Sequence, residues 1–264
     1  MTGKQDPAGQ PAKTRYHLLD EIRGFAVVCM VFYHGFYTLD SLFHSAAGSA
    51  LLAFFTPAEP YFAGLFILIS GIAPQLTHSN LIRGLKPLGV SLAFTLVTWA
   101  LGFVGMNVVI WFGILHMLAV CMLLAAAVNR PLRKLKYPVV GILVCLVLFL
   151  ATMHIREGWL GFPFLRWELP AAVMECKWLF PLGVITPGFY SADYFPLFPW
   201  MFVFFAGASI GLWAVRGKFP AFMAKSRVRP LAFVGRHALL IYILHQPVLY
   251  GLFSLVQWII QAVS

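Results

Sequence analysis

Seven runs of mostly apolar residues dominate this chain, at about 20–40, 59–78, 86–105, 107–128, 138–154, 195–215 and 236–260. A helix crosses the hydrocarbon core of a bilayer in about 20 residues. Lipid offers no partner to an open backbone, so helices are the economical way for such runs to cross. The expectation is an all-α, polytopic transmembrane helical bundle of about seven spans. Composition removes the competing classes. Of 264 residues 61% are hydrophobic and 11% charged, against about 45–50% and 25% in soluble domains. That is too little charge to solvate a globular surface. A soluble enzyme, a disordered chain and a disulfide-stapled secreted module are excluded.

The net charge of +10 does not point to nucleic acid, because the cations sit in short gaps between apolar runs and no zinc-finger or RNP pattern occurs. Lys4, Lys13, Arg15 and Arg23 precede or open span 1, Arg83 and Lys86 follow span 2, Arg130, Arg133, Lys134 and Lys136 follow span 4, and Arg216, Lys218, Arg227 and Arg229 follow span 6. The alternate gaps carry almost none. The positive-inside rule therefore predicts a cytoplasmic N-terminus and an outside C-terminus, in a bacterial plasma membrane. Residues 1–17 read as a disordered cytoplasmic tail and 18–264 as a single transmembrane domain. A signal peptide is not expected, because span 1 is long and lacks a small-residue cleavage site. The gap 155–194 holds Trp159, Phe162, Phe164, Trp167, Trp178, Phe180, Phe189 and Tyr190 with four prolines. It reads as an outer aromatic cap or loop at the membrane interface.

Cys29, Cys121 and Cys145 fall inside spans, where thiols act as small apolar fillers. Cys176 lies in the long gap, and no CxxC or His/carboxylate spacing supports a metal. Ionisable groups inside a membrane are costly and mark function. On span 1, Asp20, Arg23, Met30, His34 and Thr38 share one broad helical face, a polar stripe that must avoid lipid. Asp20 and Arg23 can pair at i,i+3, and a structural ion pair at a helix start is the simpler reading of them. His34 lies about 21 Å beyond Asp20, in the outer half of the membrane. His116 and His245 are each placed about nine residues into their spans, near the midplane. Histidine changes charge near neutral pH and suits proton transfer. Singly, each is also a packing residue. In Tyr242-Ile243-Leu244-His245-Gln246-Pro247, Pro247 frees the Ile243 carbonyl and makes a polar notch beside His245 and Gln246. The carboxylates Glu59 and Asp193 lie at outer span ends. Either can orient His34 or accept its proton, or simply favour a helix start. His44 follows span 1 in an outer connection.

Several motifs carry a family resemblance. Leu18-Leu19-Asp20-Glu21-Ile22-Arg23-Gly24 through His34, Phe66-Ile67-Leu68-Ile69-Ser70-Gly71, Phe112-Gly113-Ile114-Leu115-His116, Asp193-Tyr194-Phe195-Pro196 to Trp200, and Gly235-Arg236-His237 to His245-Gln246-Pro247 occur in order. Together they resemble the heparan-α-glucosaminide N-acetyltransferase-like transmembrane acyltransferases (DUF1624), in their short bacterial form. The opening and closing motifs are also similar to the acyltransferase-3 and DUF418 families. The resemblance implies transfer of an acetyl group from cytoplasmic acetyl-CoA, a co-substrate, to an amino sugar or glycan on the outer side, with no metal. In the lysosomal member a histidine after the first span is held to be catalytic, with an asparagine near the end of that span. His44 and His34 stand nearest those positions.

The resulting site reading has His34, His44, Asp193 and Glu59 as catalytic candidates, with His34 as base or nucleophile. It has Arg23, Asp20, His116, His245, Gln246 and Arg236 on the acetyl-CoA side. Its partners are membrane lipid, acyl-CoA and the glycan acceptor, and a homodimer is compatible with it. The competing readings are a proton-coupled transporter, suggested by histidines and a proline-broken helix, and an O-acyltransferase of surface polysaccharide.

Overall fold

A computed structural model describes residues 15–76 and 80–263. The expected tail, 1–17, falls almost wholly outside them. The helices are α1 (His17–Ser41), α2 (Ala46–Phe55), α3 (Glu59–Ile72), α4 (Asn80–Leu101), α5 (Ile114–Arg133), α6 (Pro138–Thr152), α7 (Ala171–Met174), α8 (Leu197–Val215), α9 (Arg229–Arg236) and α10 (Ala238–Val263), with short 3₁₀ turns between several of them. The single hairpin among the described residues pairs β1 (Trp159–Phe162) with β2 (Leu165–Glu168). Seven helical stretches are long and apolar enough to cross a membrane. They expose rows of large apolar side chains, such as Leu143, Val147 and Leu150 on α6 and Leu252, Leu255 and Ile259 on α10. A soluble monomer seldom shows apolar faces of that extent. The chain is an all-α integral membrane protein.

Three span starts differ from the expectation by five residues or more, the third span opening at Leu81 and not 86. The second span begins at Ala46, not 59, because α2 runs through a 3₁₀ turn into α3. Ser45 accepts the Gly48 N–H at 3.4 Å and caps α2. The fourth span begins at Ile114, not 107. Gly105 adopts a left-handed φ of 86° after α4. The residues that follow are extended and bonded to another loop, with Ala192 N–H on Val109 O at 2.8 Å and Phe195 N–H on Phe112 O at 3.0 Å. The apolar run conceals this break, since extended and helical apolar residues look alike in hydropathy.

The chain divides into two compact units, Met1–Phe66 with Phe219–Ser264, and Ile67–Lys218. In the first, α9 lies against the start of α1. A Cβ on Gly24 would run into the Leu231 carbonyl, and one on Gly235 into the Asp20 carbonyl. The pairing 24 with 231 and 20 with 235 makes the two helices antiparallel. Further along, α1 meets α10 in parallel register, Gly35 against Leu249 and Phe43 against Tyr250 and Phe253. In the second unit the end of α3 packs on α8, where Gly71 and Gly207 leave no room for a Cβ against the Phe204 and Leu68 carbonyls. Gly207 and Gly211 are a small-xxx-small pair, and this close approach is what such a pair permits. There α6 and α8 run antiparallel, with Gly141 at Ser209 and Phe149 at Trp200. Arg133 bonds the Gln75 amide oxygen and carbonyl, and Arg216 bonds the Leu135 and Lys136 carbonyls. These ties gather the basic connections of that unit at one end.

Segment 155–194 is folded. His154 stacks on Trp159 at 4.1 Å, the Arg166 guanidinium lies 4.2 Å from the same indole, and the Trp159 N–H donates to Glu157. Phe164, Trp167 and Trp178 stand exposed.

Candidate active site

The α1–α10 seam carries His34 and Thr38, two members of the polar stripe expected on span 1. Thr38 is 1% exposed, and its hydroxyl donates to Gln246 Oε1 at 3.1 Å. The other end of that amide, Nε2, lies 3.1 Å from His34 Nδ1. The His34 and His245 rings are 5.0 Å apart, centroid to centroid. His245 Nδ1 lies 2.7 Å from the Tyr242 carbonyl. The ring thus takes the carbonyl one residue before the one that Pro247 frees, and α10 continues through Pro247. His245 Nε2 is buried and has no hydrogen-bond partner among the described residues. Burying a polar atom unpaired costs about 1–3 kcal/mol. Such atoms are few in native structures, and each calls for an explanation.

The root of the same helix is anchored. Asp20 is buried and salt-bridged to Arg15 at 2.8 Å and to Arg23 at 3.5 Å, the i,i+3 pair that the spacing allows. Glu21 Oε1 accepts from Ser226 Oγ at 2.9 Å, Arg227 N–H at 2.6 Å and Val228 N–H at 3.0 Å. The last two are the amide of the residue before the α9 N-cap and that of the N-cap itself, Val228. Sequence reasoning passed over Glu21, because a carboxylate beside Asp20 at a helix start looks solvated. Its partners lie more than 200 residues away, and no local signal marks them.

His116 is a different kind of histidine. With α5 starting at Ile114, it stands in the first helical turn and not mid-span. The Gly113 N–H donates to its Nδ1 at 3.2 Å, so Nε2 carries the proton and meets Thr95 Oγ1 at 3.1 Å. The Thr95 hydroxyl in turn donates to the Ile110 carbonyl at 2.8 Å. Asp193 Oδ2 accepts the Ile114 N–H at 3.1 Å, a negative group at a helix N-terminus where the dipole favours it. Tyr194 donates to the Phe180 carbonyl at 2.7 Å, and burial pushes its phenol up to about 12. Together these groups hold the break before α5. They use both His116 nitrogens.

The remaining candidates lie apart from the histidine pair's hydrogen bonds. His44 has a φ of 49°, sits in the turn that ends α1 and is exposed. Glu59 opens α3, and Arg236 is an exposed residue at the end of α9. Among the described residues no group of three or more His, Cys, Asp or Glu is placed to hold a metal ion.

Seven apolar spans define an integral membrane protein, and the α1–α10 seam carries an imidazole pair with one buried nitrogen unpartnered among the described residues. The profile of the heparan-alpha-glucosaminide N-acetyltransferase catalytic family matches residues 15–247. The chain belongs to that family, a family of transferases. The match lends no support to the homodimer. No curated protein and no solved structure matches the chain.

Proposed function

We propose that this protein is a membrane acetyltransferase that takes the acetyl group of acetyl-CoA from the cytoplasmic side and passes it to an amino sugar or glycan on the outer side of a bacterial plasma membrane. The observation that carries the reading is the His34–His245 pair. It puts two imidazoles, one with a buried unpartnered nitrogen, in a helix seam inside the family-matched region. Acyl transfer to an amine needs a group that removes a proton from the nucleophile, and imidazole is the side chain best matched to that at neutral pH. The basic gaps support a cytoplasmic N-terminus. Arg23 and Arg236 are the cations of the first unit offered to the phosphates of CoA through charge-assisted bonds. The folded segment 155–194, with its exposed aromatics, then belongs to the outer face.

The test is CoA release from acetyl-CoA with glucosamine as acceptor, using purified wild type beside His34→Ala, His245→Ala and His44→Ala. Release that needs the acceptor and is lost in the first two variants supports the proposal. Release that survives there and is lost in His44→Ala moves the chemistry to the α1 turn. No release, with acetyl-CoA failing to raise thermal stability, favours a proton-coupled transporter built on the same histidines.

A further inference from the structure

We propose that His34 and His245 are held in opposite tautomers, with His245 Nε2 as the base of acetyl transfer, His34 Nε2–H as the donor to the acetyl carbonyl oxygen, and Gln246 as the positioning residue that sets His34. The inference rests on the acetyl-transfer reading and assigns the roles within it.

The hydrogen-bond chain fixes each proton. Thr38 donates to Gln246 Oε1, so the carbonyl end of the amide faces Thr38 and the NH₂ end faces His34. An amide NH₂ only donates. His34 Nδ1 therefore accepts, and the one proton of the neutral ring sits on Nε2. At His245 the neighbour of Nδ1 is the Tyr242 carbonyl, which only accepts. His245 Nδ1 carries the proton and Nε2 is bare, the same atom that is buried without a partner. His34 accordingly has no lone pair left for a base or a nucleophile, which were its expected roles. His245 has one. The donor and the acceptor stand on neighbouring rings 5.0 Å apart.

That pairing matches what aminolysis of a thioester requires. The acceptor amine forms a C–N bond at the acetyl carbonyl carbon, and His245 Nε2 takes the amine proton. Negative charge grows on the carbonyl oxygen, where the His34 N–H stabilises it and keeps its proton. The C–S bond breaks with its electron pair going to sulfur, and the proton held by His245 passes to the departing thiolate. The products are the amide and CoA-SH, and the neutral ring is restored.

The experiment is ¹⁵N-histidine NMR of the full chain in lipid nanodiscs, without acyl substrate, with His34 and His245 assigned from His34→Gln and His245→Gln. The expected result is a bare Nδ1 with a protonated Nε2 on His34 and the reverse on His245. Equal tautomers on the two rings would overturn the inference. Gln246→Glu is the second arm. A carboxylate of nearly the same shape only accepts, so it calls the His34 proton to Nδ1. The variant is expected to swap the His34 pattern and lower acetyl transfer about 10²–10³-fold, the usual loss of an oxyanion donor. Its acetyl-CoA-dependent thermal shift is expected to remain. Full activity in a folded Gln246→Glu protein would overturn the positioning role. Opposite tautomers in a wild type that releases no CoA would overturn the acetyl-transfer reading, and the base role with it. Equal tautomers in an active wild type would overturn this inference alone.

Discussion

His116 and His245 look alike in the sequence, each a lone imidazole in a long apolar run, but the two surroundings use them differently. Around His116 every nitrogen has work within the fold: a backbone N–H on one, a threonine hydroxyl on the other. Around His245 one nitrogen is tied to a carbonyl and the other is buried with no partner among the described residues. The first arrangement is complete and holds a helix start. The second leaves one nitrogen without a hydrogen-bond partner among the described residues. The two histidines are both buried, so what distinguishes them is hydrogen-bonding capacity left unspent at His245 and not burial.

The largest expected effect tests that contrast directly. His245→Ala is expected to lower acetyl transfer per folded molecule about 10²–10⁴-fold, the span of a lost general base, on top of the stability lost with the Nδ1 bond to the Tyr242 carbonyl and the buried ring. Turnover per folded molecule, from CoA release and tryptophan fluorescence melts on one preparation, checks it. A stability loss without a rate loss would make His245 a packing residue like His116.

Next in size are the glycine seams of the two units. Gly24→Val would drive side-chain atoms into the Leu231 carbonyl, and Gly207→Val into the Leu68 carbonyl. Neither backbone can retreat as a flexible side chain would. Each is expected to cost about 3 kcal/mol or more, beyond ordinary core overpacking. Yield of monodisperse protein after detergent extraction reads both. If only one variant fails to fold, the two seams do not constrain the chain equally.

How much of this was legible follows from the range of each signal. The spans were, because a bilayer imposes about 20 apolar residues on any helix that crosses it. So was the face holding His34 and Thr38, because helical periodicity is local. The start of α5 was not: hydropathy cannot tell the extended residues before Ile114 from helix, and the error carried His116 to mid-span. Nor were Glu21 and the bond from Gln246 to His34, whose partners lie 205 and 212 residues distant. His34, His245 and Gln246 were each visible as polar residues in apolar runs. Their mutual geometry, which decides which lone pair is open, depends on how α1 meets α10.

A smaller effect is expected at His116. His116→Ala removes the acceptor of the Gly113 N–H and the partner of Thr95, and should cost about 1–3 kcal/mol for the groups left unpaired. CoA release per folded molecule should stay at the wild-type value. Restored stability in His116→Asn, whose carbonyl can accept the same N–H as a helix cap, would confirm the cap as the cause. Lost turnover in a stable variant would erase the distinction between the two histidines.

The smallest expected effect lies beside that cap. Tyr194 donates to the Phe180 carbonyl, a neutral bond worth about 0.5–1.5 kcal/mol net, and Tyr194→Phe should lose about that much. The pH dependence reports the burial of the phenol. Burial raises the phenol from 10.0 to about 12, so folding favours the protonated form. A group raised in this way stabilises fully below its unfolded value and loses that contribution as pH rises from about 10 to about 12. Wild type and Tyr194→Phe should therefore differ by a constant amount from about pH 6 to 9, and the wild-type advantage should shrink and then reverse above about pH 10. Parallel curves through that window would show that the phenol is not buried in the folded protein as the structure has it.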